Sequence, residues 1–169
     1  MSACNTPMPS LLIISAWLLA VACHANTSDI EPTTACNYLA AAGLRTTTYR
    51  QQADGSYQCI SPHVDVGTNP GSNGALNNIA YSVIGTTTSI DHIQLAIDVN
   101  NPSEAKAIHR RLKDLSNVLA GKLHSDLPTA LQDAIATGNN IKAQIEKRGI
   151  AVLRKDRPDK SYEVKVIFD

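Results

Sequence analysis

LNNIAYSVIGTTTSIDHIQLAIDV, residues 76–99, consists of two alternating runs around a polar centre. In Leu76–Ile84 one face collects Ile79, Tyr81 and Val83, and in Ile90–Val99 one face collects Ile93, Leu95, Ile97 and Val99. A period of two is that of a strand with one buried side. The intervening positions hold Asn78 and Ser82, then His92, Gln94 and Asp98. An antiparallel pair with one packed and one solvated face follows.

A helix start comes directly after the second run. Asn101-Pro102-Ser103-Glu104 offers a cap, a proline for the first helical position and an acid placed to reach back to the cap. Ala105, Ile108, Leu112, Leu115, Leu119 and Leu123 then step by three and four residues, an apolar stripe of about five turns. A second helix is expected from Leu127 to Thr137, with Gly138 as its stop, and a short third one from Asn140 to Arg148.

On the N-terminal side, Thr33 to Leu44 reads as a short helix capped by Thr33 or Thr34. Thr46–Gln51 and Ser56–Ser61 read as strands joined through the turn Ala53-Asp54-Gly55. His63 to Ala75 reads as a long polar loop. On the C-terminal side, Ile150–Lys155 and Ser161–Phe168 form a closing hairpin with Tyr162, Val164, Val166 and Phe168 inward. Strands and helices are segregated along the chain. This predicts an α+β two-layer domain, a mainly antiparallel sheet covered on one face by two or three helices. There is no internal repeat and no sign of a second domain.

Upstream of this body, Leu11 to Ala22 reads LLIISAWLLAVA. Twelve apolar or small residues are too few to span a bilayer, which takes about 20 in a helix, but they have the length of a signal-peptide core. Residues 1–22 are therefore expected to be a removed signal peptide, residues 23–32 a flexible tether, and residues 33–169 the single α+β domain. Leu19-Ala20-Val21-Ala22-Cys23 resembles the lipobox of bacterial lipoprotein precursors, in which the cysteine becomes the acylated first residue of the mature chain. The resemblance covers only the leader. It implies lipidation at Cys23 and, because His24 rather than Asp follows, a place in the outer membrane facing the periplasm. Ordinary cleavage after Ala22 or Ala25, giving a soluble periplasmic or secreted protein, is the competing outcome.

Cysteine parity bears on the same choice. Cys4 leaves with the leader, and Cys36 and Cys59 are expected to pair in an oxidising compartment. Cys23 is then left over, as a lipidated residue would be. A zinc site is not suggested, since neither Cys36 nor Cys59 belongs to a close pair.

Charge is balanced overall but split along the chain. Through Ala105 there are two basic and seven acidic residues; from Lys106 on there are thirteen and eight. With a single Phe, and the single Trp inside the leader, a nucleic-acid stacking surface is not supplied. Nor does any catalytic signature stand out. His63, Asp65 and His92 are the residue types of an acid–base or metal site, but nothing in the sequence brings them together. The loop GTNPGSNG, residues 67–74, lacks a phosphate-loop lysine, and Asp65, Asn69 and Asn73 do not match calcium-loop spacing. Ser72 has no nucleophile-elbow context.

Lys106, Arg110 and Lys113 line one face of the long helix, with His109 and Arg111 beside them. That run is either a solvated face or a basic patch for an acidic partner. These residues, together with His63, Asp65, Asn69, Asn73 and His92, are the candidate partner-binding positions. The expected function is a non-catalytic binding or assembly module, without cofactor or metal, that contacts another envelope or periplasmic protein and touches the membrane only through its lipid. An immunity or inhibitor protein neutralising a toxin or hydrolase is the alternative, and a small envelope enzyme the third.

Overall fold

The structure is a computed structural model that describes residues 30–145 and 148–169. The leader, Cys4, Cys23 and the first part of the expected tether lie outside the described residues.

Among the described residues eight antiparallel strands form one sheet. They are β1 (Arg50–Gln51), β2 (Tyr57–Ile60), β3 (Val64–Val66), β4 (Asn77–Gly85), β5 (Ile90–Val99), β6 (Ile141–Ile145), β7 (Arg148–Asp156) and β8 (Tyr162–Phe168). Their order across the sheet is β1-β2-β4-β5-β8-β7-β6, with β3 also pairing β4. The α-helices among the described residues are α1 (Pro32–Cys36), α2 (Ala105–Lys122) and α3 (Thr129–Thr137). All three pack on the same face of the sheet. This is the α+β two-layer architecture the alternation predicts.

The β4–β5 ladder sets Ile79 opposite Ile97, Tyr81 opposite Leu95 and Val83 opposite Ile93. Each of these side chains is at most 1% exposed. From the helical layer, Ile108, Leu112, Leu115 and Leu119 come down from α2, and Leu131 and Ile135 from α3, into one continuous core. Tyr81 reaches furthest. Its hydroxyl donates 2.8 Å to the Ala35 carbonyl and so ties α1 to the central strand. Burial pushes that phenol far above its ordinary pKa, keeping it a neutral donor.

Several elements differ from the expectation, each for a local reason. Asn140–Arg148 is not a helix. Ile141–Ile145 (IKAQI) alternates with period two, and pairing with β7 from Ile141↔Val152 to Ile145↔Arg148 fixes it as an edge strand. So short a run fits either period, and tertiary pairing decides.

The first helix is only Pro32–Cys36, followed by a 3₁₀ turn over Ala40–Ala42. Its cap is Glu31, whose carboxylate accepts from the Thr34 N–H at 2.9 Å, rather than Thr33 or Thr34. Pro32 is buried and Ile30 packs against the core, so the folded body takes in the end of the stretch expected to be tether.

The long loop contains β3, which shortens it to residues 67–76. The first strand of the N-terminal hairpin shrinks to two residues, a blunt edge of the kind that resists pairing with other chains.

Cys36 on α1 and Cys59 on β2 form a disulfide with a Cα–Cα separation of 6.1 Å, and both residues are buried. It is the covalent link between the N-terminal helix and the sheet. Cys59→Ser should lower stability by about 2–5 kcal/mol, the usual loss for a native bridge in a small domain. Urea denaturation of parent and variant under non-reducing conditions checks this; an unchanged midpoint would remove the bridge from the stabilising contacts.

Candidate functional site

β2 and β3 both run along β4, but their registers differ. Ile60 faces Ser82, whereas Val64 faces Ile79. Three residues, Ser61, Pro62 and His63, therefore stand opposite two, a β-bulge. Pro62 has no N–H to give, and Ser61 makes good the ladder. Its N–H donates 2.8 Å to the Tyr81 carbonyl, and its Oγ accepts from the Tyr81 N–H at 2.9 Å. The bulge turns His63 onto the sheet face that carries no helices. There Nδ1 lies 2.5 Å from Asn78 Oδ1 and 3.9 Å from Asp98 Oδ2. Asp98 is also ion-paired to Arg157, which reaches over from the turn between β7 and β8.

Beside this cluster an asparagine lattice holds the loop 67–76. Asn77 is fully buried; its Oδ1 accepts from the Asn101 N–H at 2.7 Å and its Nδ2 donates to the Asn101 carbonyl at 3.1 Å. Asn100 donates 2.7 Å to the Leu76 carbonyl and accepts from Asn73 at 2.9 Å. Asn101 donates to the Asn69 carbonyl at 3.1 Å, while its Oδ1 caps the 3₁₀ turn Pro102–Glu104 through the Ser103 N–H.

Glu104 does not reach back to that cap as the capping pattern predicts. Its carboxylate accepts from the Asn69 side chain at 2.6 Å and from the Thr68 N–H at 3.3 Å. Two glycines make the close approach possible. A Cβ on Gly67 would lie 2.1 Å from Glu104 Oε2, and one on Gly71 would lie 1.9 Å from the Asn100 carbonyl oxygen.

Between this loop, the start of α2 and the β7–β8 turn lies a cleft of about 480 Å³. Pro70, Pro102 and Pro158 give it apolar walls; Gly71, Ser72, Asn101, Asp159 and Lys160 complete it. Asp159 is engaged in the turn, where it accepts from the Ser161 N–H and hydroxyl at 3.1 and 2.6 Å.

The expected positions scatter. His63 meets Asp98, a residue read only as part of a polar strand face, and not Asp65 or His92. Asp65 is exposed and stands opposite Asn78. His92 stands opposite Ile84, six residues along β5 from Asp98, or about 20 Å at strand rise. Asn69 and Asn73 serve the lattice. Lys106 and Arg110 are exposed on α2 and Lys113 half-buried, while Arg111 donates 2.6 Å to the Ala42 carbonyl.

His109 does not belong to the basic face. It points inward, only 4% exposed. Nδ1 lies 2.7 Å from the Ile135 carbonyl, which can only accept, so Nδ1 carries a proton. Nε2 then accepts from the Tyr162 hydroxyl at 3.0 Å in the neutral ring. The Arg154 guanidinium lies 3.6 Å from the centre of the Tyr162 ring. Burial, helped by the charge of Arg154, holds His109 below the ordinary histidine pKa, against the hydrogen bond to Ile135. The stepping of α2 carries the signal that residue type hides: His109 stands four residues after Ala105 and three before Leu112, on the edge of the apolar stripe.

Among the described residues no group of three or more His, Cys, Asp or Glu side chains is placed to hold a metal ion, and no helix is long and apolar enough to cross a membrane. The chain belongs to DUF6030, described as a family of unknown function, whose model matches residues 13–164. No curated protein matches the chain. No solved structure matches it either.

Two predictions follow from these contacts. Asn77→Ala removes both partners of the half-buried Asn101 backbone and should cost about 1–3 kcal/mol, against less than about 1 for the exposed Asn69→Ala. Denaturant titration ranks the two, and equal losses would deny Asn77 its central place.

The second concerns pH. Because the folded pKa of His109 is lowered, the unfolded chain takes up this proton first. The stability His109 confers is complete above the unfolded value of about 6.5 and is lost as pH falls through it toward the folded value. His109→Gln should be less stable than the parent at pH 7.5 yet lose less stability on going to pH 5.5. Equal slopes in parallel denaturation series would reject this.

Proposed function

We propose that this domain is a non-catalytic protein-recognition module, held through an acylated Cys23 on the periplasmic side of a bacterial outer membrane. The observation that carries the recognition half is the braced loop. Residues 67–76 are largely exposed, yet side-chain amides and Glu104 fix them to both the sheet and the start of α2. An exposed loop already ordered before contact loses less entropy on binding. The cleft beside it has proline walls suited to an apolar side chain of a partner, with Ser72 and Lys160 at its margin. Asn101 and Asp159, polar groups of its lining, are engaged in holding the loop and the turn. This supports binding over catalysis. For the anchor, the Cys36–Cys59 bridge leaves Cys23 as the odd cysteine of a processed chain.

Fractionation and cross-linking in cells carrying the native gene test both halves. The parent should enter the detergent phase, and Cys23→Ser should stay unprocessed or turn soluble. A photo-cross-linking residue at Ser72 or Lys160 should give a discrete adduct of higher mass, and one at Asn117 on the outer surface of α2 should not. A parent wholly in the soluble fraction refutes the anchor, and adducts that are absent or equal at all three positions refute the recognition surface.

A further inference from the structure

The exposed side of α2 concentrates positive charge. Lys106, Arg110 and Lys113 step by four and three residues, so they stand in one line along the helix. Among the described residues none of the three takes part in an ion pair. Arg111 and Lys122 are exposed beside the line, and Asp114 is the helix's single carboxylate. With histidines neutral, α2 sets five cations against one anion, a net charge of four positive. The whole chain is neutral, so everything outside α2 is net negative by four. Charge is separated in space as well as balanced in sum.

The position of α2 decides what this charge meets. On one flank His109 contacts the Ile135 carbonyl of α3; on the other Arg111 reaches the Ala42 carbonyl, soon after α1. α2 is thus the middle ridge of the helical layer. Ile30, two residues before α1, packs against the core, and Tyr81 holds α1 in this layer. The chain therefore enters the fold beside α2. Only residues 24–29 separate Ile30 from Cys23, a span of at most about 25 Å. The 18 residues of α2 are themselves about 27 Å long. An acylated Cys23 thus holds the domain no further off than the length of its long helix, and the layer nearest the anchor is the cationic one. Resting on the acylation of Cys23 proposed above, we infer that the outer face of α2 lies against the anionic phospholipid headgroups of the membrane that holds the anchor.

A lysine or arginine close to an anionic leaflet strengthens its hold roughly fivefold, within a screening length of about 8 Å. A single acylated point leaves the body free to roll, whereas a line of cations gives it one preferred side. An acidic protein would satisfy the same charges, but it has to be found by diffusion. The leash keeps a lipid surface within reach of α2 at all times. Membrane contact then extends beyond the lipid itself. It leaves the proline cleft free, since no residue of α2 lines it.

Fluorescence quenching on protein purified from cells carrying the native gene and reconstituted into vesicles tests this. A fluorescent amino acid is placed at Asn117, in line with the three cations, or at Leu153 on the sheet face that carries no helices. The vesicles carry a headgroup quencher and are made of phosphatidylglycerol with phosphatidylethanolamine, or of phosphatidylcholine alone. On the anionic vesicles the probe at Asn117 should be quenched about fivefold or more over the probe at Leu153, the weight of even one such cation. The preference should fall to near parity on phosphatidylcholine and in about 1 M salt, where the screening length is about 3 Å. It should fall likewise in the combined variant Lys106→Glu, Arg110→Glu, Lys113→Glu. Circular dichroism checks that this variant is folded, and the salt series needs only the parent residues at the three positions. Equal quenching at Asn117 and Leu153, with the protein retained on the vesicles, overturns the inference and leaves the anchor standing. A preference for Asn117 that neither salt nor charge reversal alters overturns it too. So does a discrete protein adduct from a cross-linker at Asn117 in cells, because an acidic partner then occupies the face. A parent that stays on neither kind of vesicle refutes the anchor, and the inference falls with it.

Discussion

Asn77 grips the backbone of Asn101 twice, as acceptor from its N–H and as donor to its carbonyl. The pair sits where β5 ends and the chain turns into the 3₁₀ turn ahead of α2. A buried amide that satisfies both backbone polar groups of one residue holds the two peptide units that flank it in a single position. The neighbouring contacts follow from it. Asn101 can cap the turn and hold Asn69, Asn100 can hold Leu76 and Asn73, and Glu104 arrives where Thr68 and Asn69 need an acceptor. The loop, the helix start and the proline cleft are one assembly because a single amide fixes their junction.

The central sheet was legible in the sequence because its strands are long and one-sided. Ile79, Tyr81 and Val83 against Ile93, Leu95 and Ile97 leave no second reading, and the Ile108–Leu119 stripe supplies the layer that covers them. Legibility fails where local and distant preferences compete. IKAQI is too short to declare its period, so its pairing with β7 was invisible. Glu104 has the spacing of a capping box, and only the folded loop shows the better donors it finds. The bulge at Ser61–Pro62–His63 is the same kind of case. Proline announced a strand end, but not that the chain resumes one residue out of step and delivers His63 to Asp98.

The two faces of the sheet also divided unevenly. Alternation alone puts Ser82 and Asp98 on the solvated face. Asp98 instead draws in His63 and Arg157 from two separate turns, and Ser82 is buried. His109 stands among basic residues in sequence, but its neighbours in the fold, Ile135 and Tyr162, come from elements 26 and 53 residues away. Polar residues that satisfy one another across the fold leave no periodic trace, which is why the candidate site was less readable than the scaffold.

The strand order carries a consequence for how the molecule comes into being. β8 follows every other strand in the chain yet lies inside the sheet, between β5 and β7. Until Tyr162–Phe168 has been made, β5 has an open edge and the β6–β7 hairpin has nothing to join. A chain that emerges from its N-terminus therefore cannot close its sheet part-way. The two halves wait as separate pieces, one with an unpaired, strongly apolar strand, and lock together in a late step with long-range contacts, the slow kind of folding event. Chain order and final closure are thus coupled by topology: the sheet is withheld until nearly the whole chain is free to pair.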